Sequence, residues 1–152
     1  MNTTDITVID NITLITLLNV PSDVCFFPEI FERIAARDIN VDMISVTPPQ
    51  GDQTNLSFTV ADEDLGKVLD FTAALHEKHK EIKPIVSSGN SIIMVQDENM
   101  RTTPGFAAKV FTAAAKANTD LRIVTTSTTQ ISLLVTEAAF DTTYDALQQA
   151  FQ

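Results

Sequence analysis

The chain has 152 residues and sets 10 Lys and Arg against 20 Asp and Glu, a formal charge of −10. Hydrophobic residues make up 44% and charged residues 20%, a globular composition for one domain or two very small ones, and a chain of this length buries roughly 70% of its unfolded surface without help from a metal or disulfide. So acidic a surface repels a nucleic-acid duplex and an anionic bilayer, which argues against both as partners.

The first residues, Met1-Asn2-Thr3-Thr4-Asp5, lack a basic stretch followed by an apolar core. No apolar run approaches the ~20 residues of a membrane helix, so a cytoplasmic protein is expected. Ile6 to Ile9 is β-prone, and Ile12 to Leu18 is an apolar, β-branched run of strand length. Pro21-Ser22-Asp23 breaks it, and Ser22 or Asp23 caps a helix. Phe27, Ile30, Phe31, Ile34 and Ala35 share that helix's apolar face, Pro28 lies in its first turn, and it ends near Asp38. Val41 to Val46 reads as a strand, Pro48 to Asp52 as a turn, and Leu56, Phe58 and Val60 alternate as a half-buried strand. Asp62 caps a second helix with Leu65, Val68, Leu69, Thr72 and Leu75 on one face. Lys83 to Val86 is a short strand ended by Ser87-Ser88-Gly89.

This order is that of the ferredoxin-like split unit, an antiparallel sheet with two helices on one face. The second half repeats it. Ile92 to Val95 is a strand, and Thr103-Pro104-Gly105 opens a helix with Pro104 near its first position and Ala107, Val110, Phe111, Ala114 and Ala115 on its face. Leu121 to Thr125 and Ile131 to Val135 are strands, and Thr136 or Glu137 starts a last helix carrying Phe140, Tyr144, Leu147 and Phe151. Shifted by 80 positions, Ile12 meets Ile92, Asn19 meets Asn99, Phe26 meets Phe106, Phe31 meets Phe111 and Ala35 meets Ala115, the mark of an internal repeat. The second repeat has no fourth strand of its own, which would leave a bare sheet edge. Residues 4–10 complete it in this reading. The expected fold is therefore α+β, with two ferredoxin-like βαββαβ units. Residues 11–88 form the first, inserted in the second, which is 1–10 plus 89–152.

The candidate chemistry is sparse. Four scattered glycines cannot wrap a phosphate, so kinase or dehydrogenase chemistry is not expected. Cys25 stands alone, without a disulfide partner or a Cys-cluster metal site, and is read as a packing residue rather than a reactive thiol. His76 and His79 are read as solvent-exposed, not as a metal pair. The run Asp62-Glu63-Asp64 suits a helix start, and Asp97-Glu98-Asn99 is a turn rather than a calcium cage. No cofactor is expected.

Asn19-Val20-Pro21-Ser22-Asp23, Phe31, the segment Ile39 to Ser45, and Leu56 to Val60 resemble the first ACT domain of aspartokinases. Pro104-Gly105-Phe106, Phe111, Asn118 and Thr125-Thr126-Ser127 are similar to the second, and Ala146-Leu147 and Ala150-Phe151 to its closing helix. With no kinase domain preceding it, the chain resembles an aspartokinase regulatory region standing alone, and that family interleaves its two ACT units by the same insertion. The resemblance implies a non-catalytic module that senses lysine, threonine or a related amino acid at a paired ACT interface, as a homodimer and with a catalytic kinase subunit as a further partner. It implies ligand contacts from the loop Asn19 to Phe26 (Asn19, Val20, Ser22, Asp23, Cys25 and Phe26), from Asp42, and from Thr103, Gly105, Phe106 and Asp120 in the second repeat. Helix-start N–H groups suit a carboxylate and side-chain carboxylates an ammonium. Asp23 reads most simply as a helix cap, and Asp42 equally as a solvated strand residue. The sequence departs from the family at Val24-Cys25, which replaces Pro-Gly, at Val46-Thr47, at Asp120 and at Ser127-Thr128. A Cβ and sulfur at Cys25 narrow the first pocket. That departure supports the alternative reading, a ligand-free dimerisation and assembly module for itself or an enzyme subunit.

Overall fold

The structure is a computed structural model that describes residues 4–152. Met1-Asn2-Thr3, read above as free of a leader pattern and as the start of the second unit, lie outside the described residues. The described residues divide into two compact units, one formed by Asn11–Ser88 and one by the residues up to Asp10 with Gly89–Gln152. Strands β1 (Asp5–Pro21) and β4 (Lys83–Gln96) each give one part to either unit.

The strand expected to stop at Ser87-Ser88-Gly89 therefore continues. Gly89 has φ 76° inside β4, a conformation glycine reaches without a Cβ clash, and pairing with the opposite strand holds from Ser91 to Gln96. The glycine is a local kink, not a terminus.

Within Asn11–Ser88 the order is β1, a 3-10 turn at Val24–Phe26, α1 (Phe27–Ala36), β2 (Ile44–Val46), β3 (Gln53–Ala61), α2 (Leu65–Lys78) and β4. The strands lie in the order β2-β3-β1-β4. β1 and β3 are antiparallel, Ile12 facing Ala61 and Leu17 facing Leu56. Period-two alternation puts Ile15, Leu17, Leu56, Phe58 and Val60 on one face, where Ile30 and Ile34 of α1 and Val68, Phe71 and Leu75 of α2 close over them as one core. α1 ends at Ala36 because Asp38 turns left-handed (φ 57°) and its N–H bonds back to Ala35 O at 3.0 Å.

Two expectations need correction here. Leu69 is turned outward, 52% exposed. The buried stripe is Val68, Phe71, Thr72 and Leu75, which has the same helical spacing but encloses the larger ring. β2 begins at Ile44 rather than Val41. The buried Thr59 hydroxyl accepts the Met43 N–H at 2.9 Å, so a side chain replaces a ladder bond and the strand loses its regularity.

The other unit follows the same plan with β4, a 3-10 turn at Glu98–Arg101, α3 (Phe106–Lys116), β5 (Leu121–Thr126), β6 (Gln130–Val135) and α4 (Glu137–Ala150), with residues 5–10 of β1 as a further strand. The strand order is β1-β4-β6-β5, and Ser91 to Gln96 run antiparallel to Val135 to Gln130. Ile93, Val95, Ile131, Leu133 and Val135 form the sheet side of the core, Val110, Ala113, Leu147 and Phe151 the helix side, and Ile6 and Val8 pack against it. The Ser91 hydroxyl donates to Asp10 at 2.9 Å and the Thr4 hydroxyl to Asp97 at 2.5 Å, tying the N-terminal strand along β4.

The expected face of α3 is rotated. Val110, Ala113 and Ala114 are buried, Ala107 and Ala115 are exposed, and Phe111 is 45% exposed. The helix starts after Gly105, so Pro104 lies in the preceding turn. Phe106 then stacks on Phe151 with ring centroids 6.2 Å apart, and that contact selects which side faces inward. Both units are antiparallel α+β sheets with two helices on one face.

Candidate functional site

The loop that leaves β1 is shaped by three local devices. The register of β1 against β3 slips between Leu17 and Val20, and Asn19 sits in that bulge with φ 63°. Asparagine tolerates the left-handed region better than most side chains. The Asn19 N–H donates to the Asn55 side-chain oxygen at 3.3 Å, and the Ser22 N–H donates to Asp52 O at 2.9 Å, so the outgoing chain is moored to the β2–β3 hairpin. Asp23 then caps the 3-10 turn: one carboxylate oxygen accepts the Cys25 N–H at 2.9 Å and its carbonyl accepts the Phe26 N–H at 2.9 Å.

The candidate residues fall into distinct environments. Val20 is wholly buried and belongs to the core, so its side chain offers no ligand contact from the loop surface. Asp23, Val24 and Cys25 are exposed. The expectation that Cys25 is a packing residue is thereby corrected, because the capped turn projects residues 23–25 outward. Phe26 is half-buried, set edge-on to His79. Asp42 is exposed and its N–H donates to Thr59 O at 3.0 Å; Thr59 faces Leu14 on β1, upstream of the loop. In the second unit, Thr103 and Gly105 are exposed before α3. Gly105 has φ 103°. Phe106 packs into the core, and Asp120 pairs with Arg122 at 2.8 Å.

One candidate, Asn19, lines a polar surface groove of about 510 Å³ together with Thr47, Gln50, Gln53, Thr54 and Asn55. The buried Thr54 hydroxyl donates to Thr47 O at 2.5 Å and the Asn55 N–H donates to the Thr47 hydroxyl at 3.1 Å, which fixes the groove's wall. Sequence reading marked Pro48 to Asp52 as a turn but not its polar flanks. The signal was the bulge, which aims Asn19 at the hairpin and which alternation alone does not reveal.

Glu29 is the other residue the sequence did not single out. One of its carboxylate oxygens lies 3.1 Å from His79 Nε2 and 3.1 Å from Lys78 Nζ. These hydrogen bonds, His79 first, hold its pKa down to about 2 from the usual 4.5. His79 is therefore partly enclosed, its side chain 20% exposed, where an exposed histidine was expected. Among the described residues no cluster of three or more His, Cys, Asp or Glu is arranged to hold a metal, and no helix is long and apolar enough to cross a membrane.

Residues 93–151 match the family model described as the ACT domain. That segment is similar to an ACT domain. It is 31% identical over 147 residues to an aspartokinase from Bacillus sp. (strain MGA3), and 31% identical over 147 residues to aspartokinase 2 of Bacillus subtilis (strain 168). In both cases the match covers 94% of this chain and 35% of the relative, so the chain spans about a third of the length of these relatives. The fold is similar from end to end to the ligand-free regulatory subunit of aspartate kinase from Thermus thermophilus (TM-score 0.87, 23% identity, 100% of both chains covered). It is also similar to aspartate kinase from Synechocystis (TM-score 0.89, 25% identity, 96% of this chain and 26% of that one). The chain thus resembles aspartokinases in sequence along about a third of their length, and a regulatory subunit of aspartate kinase in fold.

Proposed function

We propose that this chain is a non-catalytic, amino-acid-binding regulatory module of the aspartokinase type, built of two ACT units. Asn11–Ser88 is the first unit and the residues up to Asp10 with Gly89–Gln152 the second. The observation that carries this reading is the 31% identity to an aspartokinase along 94% of the chain, with a fold similar throughout to a regulatory subunit. The effector is lysine, threonine or a related amino acid, held where ACT units of two copies pair. The module works as a homodimer in the cytoplasm and acts on a catalytic kinase subunit.

In this reading the loop Asn19–Phe26 presents the backbone N–H groups of Asp23 and Val24, which the bonds of Asn19, Ser22, Cys25 and Phe26 leave over, to the effector's carboxylate, and Asp23 and Asp42 face its ammonium. Val20 serves as the buried anchor of the loop, not as a contact. Thr103, Gly105, Phe106 and Asp120 form the equivalent site of the second unit. The exposed Cys25 narrows the first site without filling it.

Asp42 is the cleanest test, because its carboxylate is exposed while only its backbone joins the sheet. Asp42→Ala is expected to leave the thermal midpoint within about 2 °C and to abolish amino-acid binding by calorimetry. Equal affinity in the variant removes Asp42 from the site.

A second reading, a ligand-free assembly module, draws on β2. This edge strand exposes Ile44 (49%) and Val46 (42%), and apolar edges favour pairing with another chain. It predicts a stable dimer that no amino acid perturbs.

A further inference from the structure

Beside the turn that follows β1, the end of α2 brings together two rings and several charged groups. His79 is the residue just past α2, and its backbone is pinned on both sides. Its N–H donates to Leu75 O at 2.8 Å and its carbonyl accepts the Ile82 N–H at 3.2 Å. Its ring stands across Phe26, with centroids 4.9 Å apart and planes at 81°, an arrangement favoured by the aromatic quadrupole. Nε2 lies 3.1 Å from Glu29 Oε1 in the first turn of α1. Lys78 Nζ and Arg33 Nη2 reach the same oxygen at 3.1 and 3.4 Å, and Glu81 faces Nδ1 at 3.8 Å. One imidazole thus joins the end of α2, the first turn of α1 and the last residue of the loop.

We propose that His79 is the positioning residue of the Asp23–Phe26 end of the Asn19–Phe26 loop, the end that the hairpin contacts of Asn19 and Ser22 do not hold, so that the loop's affinity for an amino acid is set in part from α2 by a group that never touches the ligand. The proposal rests on the reading of that loop as an amino-acid site. Asp23 holds the turn from within, through bonds to Cys25 and Phe26, but these bonds are internal to the turn and do not fix it to the body of the unit. Phe26 does so, through the core it packs against and the ring it meets. The Glu29 bond orients that ring. Without a ring at position 79, the turn exchanges with open conformers, and apparent affinity falls by the fraction of time the closed form is lost.

Hydrogen exchange on the ligand-free protein tests the positioning directly. His79→Ala is expected to speed exchange of the Cys25 and Phe26 amides by roughly threefold to tenfold, the loss of one ring contact. Core amides such as Phe58 and Leu17 keep their protection. His79→Phe, which keeps a ring against Phe26, restores most of the protection. Phe26→Leu gives the same local signature from the loop side, and so carries the test if the alanine variant fails to fold. Unchanged exchange at residues 25 and 26, or an equal rise throughout the unit, overturns the proposal. Where the wild type binds an amino acid by calorimetry, His79→Ala raises Kd by the ratio of closed fractions that the exchange rates at residues 25 and 26 give for wild type and variant; a Kd that departs from that ratio overturns the coupling to affinity. A wild type that binds no amino acid overturns the functional reading, while the exchange data still decide what holds the loop.

Discussion

At Glu29 a single carboxylate oxygen takes hydrogen bonds from His79 and Lys78, and its pKa drops to about 2. A carboxyl whose folded pKa is depressed binds protons less readily folded than unfolded, so it stabilises the fold above its ordinary value of 4.5 and stops doing so as pH falls toward 2. Glu29→Gln should therefore be less stable than wild type at pH 7, by at most about 1 kcal/mol because the group is partly solvated. The difference should close between pH 4.5 and 2, as read by denaturant titration across that window. Asp23→Ala should cost about 1 kcal/mol through loss of the cap on the Val24–Phe26 turn, measured the same way at pH 7. Ser22-Asp23 ahead of an apolar helical stripe pointed to a helix cap, but Asp23 caps the 3-10 turn at Val24–Phe26, and α1 itself starts at Phe27 without a side-chain cap. The roles of Glu29 and His79 were not, because 50 positions separate them and only the packing of α2 beside α1 makes them neighbours. The exposure of Cys25 was likewise invisible, since a cysteine near a helix start looks the same in sequence whether it turns in or out.

Among the elements, the two helix-start glycines make opposite predictions. Gly105 precedes α3 at φ 103° with open space around its missing Cβ. Gly105→Ala is expected to destabilise by about 1 kcal/mol through backbone strain alone. Gly66 lies in the first turn of α2, also with open space but with no left-handed φ. Gly66→Ala is expected to stabilise by about 0.5 kcal/mol. Thermal denaturation of the pair gives midpoint shifts of opposite sign. Sequence placed every helix and strand in order, because apolar spacing and Pro or Gly breaks mark them. It misjudged two helix faces, at Leu69 and Phe111, for one reason: adjacent stripes share most of their positions, and only the partner surface chooses between them. It also read Gly89 as a stop, where the sheet carries the strand through.

For the whole molecule, antiparallel α+β architecture was legible because the strand–helix–strand–strand–helix order occurs twice and the repeated positions are apolar. The site was less legible. The resemblance drew attention to the loop after β1, whereas the groove at Asn19 depends on a bulge and on the polar flanks of the β2–β3 turn. If the functional reading holds, the molecule is a paired sensor, and sedimentation should find a dimer at micromolar concentration. The most direct test is a thermal-shift screen of the purified chain against the twenty amino acids. At about 100 times its Kd, a ligand adds on the order of 2.7 kcal/mol to a single-site native state, a rise of several degrees for a chain of this size. One amino acid, lysine or threonine or a close relative, should raise the midpoint by that much while its near analogues do not. A flat response across all twenty on a folded dimer would contradict the account.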